Sequence, residues 1–507
     1  MSFKLPQSNS DAYPSRQSRR KALKVGIFSG MASLQIGSVS AALEKQPGPL
    51  PPSKTPKDKP VPFPFPFHGL LENQGKSYSN WGLTNFTKPA VYVEPISYED
   101  VQAIVKDTKR FPTPVNPVGS LFSVSPTIIN NGGTLLCTKK LDEILGLEYD
   151  SKGRRIVRVQ AGCRLKKLNL WLQSRDLEIS FQAEIGEATV GSIAVGDTKD
   201  SSLDGAGFFS AGVTGLSYVN SDGKICYISD AGDAASFHEF KCSFGLLGIV
   251  LECQIEVRPA SLCTSKFSKV KFNSPEKLAE AIIRLHKECD AFFGNIILEK
   301  LFATCDQRYK AGPGSITPAS SQPHFNELRM AKRSNIQQGG LPRPDTNNLR
   351  PLIKEITYSR ADMVNEYWRP TATENRLDFQ FYEHDLANMI PVISQSYAFT
   401  MAFEEKYSFV PNAWALYLVN RPESKKKPYG LYSGGPGVSF SFDPLFSTPT
   451  DPKWQLFAKN YNTLAIKTLN GKPSPIQTQW LKPGDLIIPK KLAHPRFTTN
   501  YYSQFLG

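Results

Sequence analysis

Gln182–Ser202 reads QAEIGEATVGSIAVGDTKDSS. It holds no aromatic residue, although Phe181 directly precedes it. Gly191, Ser192, Ala194 and Gly196 leave the main chain bare enough for a flat or highly charged ligand to approach backbone N–H groups. Thr189, Thr198, Ser201 and Ser202 add hydroxyls, and Lys199, the one cation of the stretch, adds a point charge suited to phosphate. Taken alone the stretch has two readings, a ligand-binding loop or a small-residue loop that binds nothing.

Working outward, a second tight turn, Pro117-Val-Gly-Ser-Leu-Phe-Ser123, follows the strand-like Pro114–Val118. Downstream, Cys242-Ser-Phe-Gly-Leu-Leu-Gly-Ile-Val250 runs a glycine pair into an alternating strand that ends at Pro259. Three small-residue turns, each joined to a β-rich segment, together resemble the FAD-binding domain of the PCMH-type, or vanillyl-alcohol-oxidase, flavoproteins. The branch most similar is that of the sugar-lactone and alditol oxidases, which includes the gulonolactone and arabinonolactone oxidases. That branch reads roughly G-S-x-H-S, T-x-G-x-x-x-x-G-T-H-G and G-x-L-G-I where this chain has Gly119–Ser123, Thr189–Asp200 and Gly245–Ile249. The likeness is good over residues 80–260 and weak in the C-terminal half.

The resemblance implies an α+β, two-domain fold of the PCMH type with a C-terminal α+β substrate domain, and FAD as cofactor. Carried over position by position, the cofactor contacts of the first turn are Val118, Gly119, Ser120, Leu121, Phe122 and Ser123. Those of the central loop are Glu187, Thr189, Gly191, Ser192, Gly196, Thr198, Lys199, Asp200 and Ser201. The third turn contributes Gly248 and Ile249.

The chain also departs from the pattern. Phe122 stands where the family has a histidine that bonds covalently to the flavin, and phenylalanine has no nucleophile, so FAD is expected to be non-covalent. Asp197-Thr-Lys-Asp200 replaces G-T-H-G, with Lys199 assigned to charge on the pyrophosphate or the flavin. The family's E-x-R pair matches Val419-Asn-Arg421, which keeps the arginine and loses the carboxylate; Arg421 is either that catalytic cation or an ordinary surface residue before Pro422. The H-W-x-K lysine position falls on Gln477. The expected function is oxidation of a C–OH group in a sugar, lactone or polyol by hydride transfer to FAD, with oxygen, a quinone or a cytochrome as electron acceptor. The alternative of another class is a catalytically degenerate relative acting as a binding or structural protein in the cell envelope.

Bulk properties narrow the field. The 507 residues suffice for two or three domains, and 40% hydrophobic with 21% charged content is ordinary for a globular chain. Of the net charge of +14, five units sit in the first 42 residues, where six Lys/Arg face Asp11 alone; the remaining +9 is dispersed. With no zinc-finger spacing or RNP-like motif, the basic balance points to a surface that attracts anionic substrates or the membrane rather than to nucleic acid. Eight cysteines form no C-x-x-C pair and leave disulfides unassigned, and six scattered histidines give no metal motif.

In chain order, Ser18-Arg-Arg-Lys-Ala-Leu-Lys24 precedes a mildly apolar Val25–Val39 and a small-x-small site, so residues 1–42 resemble a twin-arginine signal peptide. Residues 43–78 form a proline-rich linker, 79–260 the FAD-binding domain and 261–484 the substrate domain. Residues 485–507 resemble the family's closing segment, which returns to the flavin domain. Helices are predicted from Ser97, over Leu165–Gln173 and from Ser274 to about Cys289, strands over Thr134–Cys137, Arg155–Gln160, Leu377–Tyr382 and Ala413–Val419, and a hairpin turn at Ser221-Asp-Gly223. The charges of Glu374–Asp385 are expected on a solvated strand face, and Ala311–Asn348 as an irregular insertion. The expected location is the periplasm or outside the cell, with no membrane anchor after processing. Arg19→Lys with Arg20→Lys should hold the precursor in the cytoplasm, read by fractionation; undiminished export would show that Ser18–Ala42 serves another purpose.

Overall fold

The computed structural model describes residues 66–507, apart from 74, 200–206, 242, 317–353, 365–376 and 422–436, and gives the backbone alone at 73, 269, 270, 354, 420, 421 and 437. The signal-like segment, residues 43–65 of the linker, Asp200, Ser201 and most of the insertion lie outside the described residues.

Alternation of short apolar strands with amphipathic helices builds the first half. β1 (Leu70–Asn73), β2 (Val91–Glu94), β3 (Val115–Val118) and β4 (Thr134–Cys137) make a four-stranded sheet in the order β1-β2-β4-β3. β2 and β3 both run parallel to β4. Parallel neighbours need a crossover, and α1 (Tyr98–Lys106) lies between β2 and β3 in the chain. Its start is the expected cap, with Ser97 Oγ accepting from Asp100 N at 3.1 Å. β3 therefore ends where the first turn begins.

A second sheet holds β5 (Ile144–Tyr149), β6 (Arg155–Gln160), β7 (Leu177–Ile179), β8 (Val213–Val219), β9 (Ile225–Ser229) and β10 (Ile249–Pro259). Its order is β9-β8-β10-β6-β5, with β7 on the far end of β10. The hairpin at Ser221–Gly223 joins β8 to β9 as expected. Leu165, Leu168 and Leu172 of α2 (Leu165–Gln173), at helical spacing, bury against Val157, Val159, Cys253 and Ile255 of this sheet. A short helix α3 (Val190–Val195) from the central loop joins the same core.

The second half is built on one nine-stranded sheet. Its strands are β11 (Ser261–Lys271), β12 (Ala291–Ile297), β13 (Phe302–Pro313), β14 (Lys354–Ser359), β15 (Asp378–Phe379), β16 (Tyr382–Asp385), β17 (Ala413–Arg421), β18 (Gly437–Phe446) and β19 (Lys472–Pro473). The order is β14-β11-β13-β12-β17-β18-β16-β19, with β15 paired to β18, and every pairing is antiparallel. Residues 311–313, expected in an irregular insertion, extend β13, where Pro313 pairs with Ser261 across a register shift.

Helices α4 (Pro275–Lys287), α5 (Met389–Tyr407) and α6 (Pro452–Thr463) join one face of that sheet in a common core. Trp414, Leu416, Phe440 and Phe442 contribute that face from β17 and β18. Side chains alternate along a strand, so Ser439, Ser441 and Asp443 fall on the opposite face, toward the first half.

The two halves meet in buried ionic contacts. Glu178 of β7, fully buried, accepts from Arg258 Nε (2.8 Å), Arg360 Nη1 (2.8 Å), Ser261 Oγ (2.7 Å) and Ser261 N (3.0 Å). A buried carboxylate is tolerable only when its lone pairs are filled this way. Arg308 of β13, 2% exposed, pairs with Glu184 Oε1 at 2.8 Å and with Asp306 at 3.0 Å. In the C-terminal segment, Arg496 donates to Ile104 O and Val105 O of α1, and Tyr501 and Tyr502 of α7 (Asn500–Ser503) pack with Leu246.

The charges of Glu374–Asp385 are not a solvated face where they are described. Asp378 is 1% exposed and accepts from Trp454 Nε1 at 2.7 Å, and Glu383 is 3% exposed with Ser439 Oγ donating to it at 2.5 Å. Both lie between sheet and neighbouring elements, so burial overrides the polar pattern. Asp385 alone of the described charges there is exposed. The seven described cysteines are free thiols.

Candidate cofactor cleft

A cleft of about 1200 Å³, measured out to its open mouth, is walled by all three small-residue segments. The first turn lines it from Pro117 to Ser123, the central loop through Thr189, Gly191, Ser192, Gly196 and Thr198, and the third turn through Phe244, Gly245 and Gly248. Ile476, Gln477 and Tyr502 close it from the C-terminal half. Positions some 350 residues apart in sequence are held together there by main-chain bonds: Val124 N and Ser125 N both donate to Ile476 O, at 3.1 and 3.4 Å.

The first turn carries the cleft's free donors. Trp81 N donates to Leu121 O at 2.8 Å, but the N–H groups of Ser120, Leu121, Phe122 and Ser123 meet no acceptor among the described residues. Leu121 has φ = 63°, in the left-handed region. Successive amides that turn through such a residue converge into an anion-binding concavity. Ser120–Ser123 are half-buried along the cleft, so these amides are open to the acceptors of a ligand. Gly119 cannot carry a side chain here: a Cβ would collide with Thr189 Oγ1. Phe122 lies in the cleft wall with its ring 5.9 Å from that of Trp81.

The central loop contributes differently from the expectation. The amides of Gly191, Ser192 and Gly196 are already bonded, to Ala161 O (2.7 Å), Thr189 O (3.1 Å) and Ser192 O (2.9 Å). They form the short helix and its seam with the second sheet, so they are not donors for a ligand. Gly191 is bare because of protein packing, since a Cβ would lie 2.6 Å from Ala161 Cβ and 3.0 Å from its carbonyl oxygen. What the loop offers the cleft is the Thr198 hydroxyl, since Thr189 Oγ1 donates to Ser192 Oγ at 3.0 Å and Ser192 Oγ to Thr189 O at 2.7 Å.

Three further expected contacts lie outside the cleft lining. Lys199 is turned from the cleft and paired with Asp443 Oδ2 at 2.7 Å, so among the described lining residues the cleft has no cationic side chain. Glu187 is 5% exposed and bound to Arg164 at 3.1 Å, outside the lining. Ile249 is fully buried at the start of β10, opposite Val219. Asp200 and Ser201 lie outside the described residues, as does the side chain of Arg421, whose backbone ends β17 opposite Gly437. Gln477 does reach the cleft, and its Oε1 is buried with no hydrogen-bond donor among the described residues. A buried acceptor without a donor, in the same cleft as the open amides of the first turn, is what a polar ligand would satisfy.

The lining also includes residues that motif spacing passes over: Asn80, Asn116, Thr138, Ala161, Ile185 and Ile476. Ala161 and Thr138 had no legible signal, since they matter through backbone position at strand ends. Tyr502 did have one, in the aromatic closing segment.

Residues 89–229 match the FAD-binding domain family. Among curated relatives, the D-arabinono-1,4-lactone oxidase of Eremothecium gossypii is 29% identical over 184 residues, 36% of this chain and 34% of that protein. The L-gulonolactone oxidase of Mus musculus is 24% identical over 212 residues, 42% of this chain and 46% of that protein. The chain thus spans a third to a half of the length of these relatives. Among solved structures, cholesterol oxidase from B. sterolicum superposes with a TM-score of 0.61 at 14% identity, over 84% of this chain and 89% of that one. Chitooligosaccharide oxidase does so with a TM-score of 0.57 at 11% identity, over 79% and 86%. The α+β, PCMH-type architecture is the shared feature.

One titration follows from the site. Asp197, between two cleft-lining residues, is fully buried, and burial raises its pKa to about 7, with the Glu383 charge adding to the rise. The folded state then binds a proton that the unfolded state has lost between pH about 4 and 7, so this group's contribution to stability falls as pH rises through that window. Asp197→Asn should leave the melting midpoint nearly unchanged at pH 4 and raise it relative to the parent at pH 8, by on the order of 1–4 kcal/mol in unfolding free energy. A pH-independent difference in calorimetric midpoints would remove Asp197 as the titrating group.

Proposed function

From a chain that carries a PCMH-type FAD-binding domain, we propose an FAD-dependent oxidoreductase that oxidises a CH–OH group of a sugar lactone or similar polyol. The observation that carries the reading is the convergence of all three turns on one cleft, at a run of four free amides. The fit to FAD rests on the Ser120–Ser123 N–H groups and the Thr198 hydroxyl, which suit a diphosphate without a lysine. FAD supplies the hydride-accepting chemistry when bound.

The chain's own residues supply the rest. The first turn orients an anion; the packed Ala161–Gly191 seam fixes the opposite wall; Gln477 presents an acceptor where the C-terminal half closes the cleft. Phe122 offers no nucleophile and rests against Trp81, which supports non-covalent attachment. The lactone specificities printed for the curated relatives support the substrate class, and the signal-like segment 1–42 supports export.

Purified protein should be yellow, and acid precipitation should release all its flavin into the supernatant. Anaerobic addition of D-arabinono-1,4-lactone or L-gulono-1,4-lactone should bleach the flavin absorbance. Flavin retained in the pellet would contradict the Phe122 argument. Absence of flavin after reconstitution with FAD would remove the functional reading itself.

A further inference from the structure

Five tyrosines are buried among the described residues: Tyr358, Tyr382, Tyr461, Tyr501 and Tyr502. A buried phenol finds a hydrogen-bond partner as a rule, because leaving water without one is costly. Four of the five do so. Tyr358 pairs with Ser265 Oγ at 2.8 Å and Tyr461 with Ser396 Oγ at 2.9 Å. Tyr382 donates to Asn462 Oδ1, and Tyr501 to Pro475 O at 2.7 Å. The Tyr502 hydroxyl meets no partner among the described residues, although the residue is only 3% exposed.

Tyr502 is also the one of the five that lines the cleft. Its ring stacks on that of Phe244, a lining residue of the third turn, with centroids 6.3 Å apart and planes 22° from parallel. It packs with Leu246 of the same turn, and His494 N donates to Leu246 O at 3.1 Å, so the closing segment is seated on that turn. The neighbouring Tyr501 ties the same short helix to Pro475, directly before the lining residues Ile476 and Gln477. The ring of Tyr502 is thus positioned by packing while its hydroxyl is unused. No other described lining residue carries a titratable side chain. Burial holds the phenol well above the ordinary tyrosine pKa, with Tyr501 and Asp197 adding to the rise, so it stays protonated and serves as a neutral donor.

We propose that Tyr502 contacts the cofactor, its hydroxyl donating to an acceptor oxygen of FAD in the cleft, so that the closing segment completes the cofactor site beside the three turns. This deepens the functional reading above and rests on it for the identity of the ligand. The cofactor rather than the substrate is the partner because Tyr502 stands against the third of the turns that wall the cleft. A hydroxyl that gains its hydrogen bond only when FAD enters stabilises the complex and not the empty protein.

The test titrates full-length, flavin-free protein with FAD and follows flavin fluorescence. Tyr502→Phe keeps the ring and removes only the hydroxyl, and it should weaken FAD binding about tenfold. The melting midpoint of the flavin-free protein should not fall in this variant, because the lost hydroxyl has no bond there. Tyr501→Phe, which loses the bond to Pro475 O, should lower that midpoint. A merely structural Tyr502 would behave as Tyr501 does.

Equal FAD affinity in the parent and Tyr502→Phe would overturn the contact and leave the flavoprotein reading standing. A raised lactone KM at unchanged FAD affinity would overturn it as well, by moving the hydroxyl to the substrate. So would a flavin-free midpoint lowered as much as in Tyr501→Phe. A parent protein that takes up no FAD would remove the functional reading and the contact with it. If Tyr502→Phe fails to fold, fluorotyrosine placed at position 502 of the full chain decides: its fluorine resonance should shift on adding FAD, and an unmoved resonance would overturn the contact.

Discussion

Two ion pairs, each with one buried partner, pin the central loop between the halves of the molecule. At its start Glu184 meets Arg308 of the nine-stranded sheet, and at its end Lys199 meets Asp443 of the same sheet, at 2.8 and 2.7 Å. Between them the loop folds into α3 and bonds back to Ala161 and Cys163 at the end of β6. Removing one partner from a buried pair leaves an uncompensated charge at about 3–5 kcal/mol, so the loop has little freedom to leave the sheet. With the loop held, the first turn and the closing segment have a fixed surface to pack on, and the cleft is what remains between them.

That arrangement divides the chemistry. Small residues of the central loop serve protein packing, with Gly191 against Ala161 and Thr189 against Gly119, while the first turn keeps its amides open. A diphosphate would thus be met by main-chain donors of the first turn. The positive charge of the loop is spent elsewhere, at the sheet face where Ser441 and Asp443 stand opposite the apolar layer of Phe440 and Phe442.

Much of the fold was legible because its signals are local. The Ser97 and Ser274 caps, the α2 leucine spacing and the Asp-Gly hairpin each depend on residues a few positions apart, and each appears where its pattern sits. The three turns were legible as a set for the same reason. The direction of Lys199 was not, since its partner lies 244 positions away and only the alternation of Asp197-Thr-Lys199 hints that two of those side chains leave the cleft. The strand Ser439-Phe-Ser-Phe-Asp443 shows the matching period of two, with polar residues that a solvent-facing strand would also carry. Asp378 and Glu383 misled in the same way, because charge in sequence does not reveal a distant Trp454 or Ser439. Likewise, bare glycines announce close approach without saying whether a ligand or Ala161 approaches.

The central claim is that the first turn, rather than the central loop, supplies the backbone donors to FAD. Amide hydrogen exchange resolved to single residues, on the full chain with and without FAD, tests it directly. Slowed exchange at Ser120–Ser123 on adding FAD, with Gly191, Ser192 and Gly196 already protected in its absence, is the predicted result. Unchanged exchange at Ser120–Ser123, with new protection at the central-loop amides instead, would contradict it.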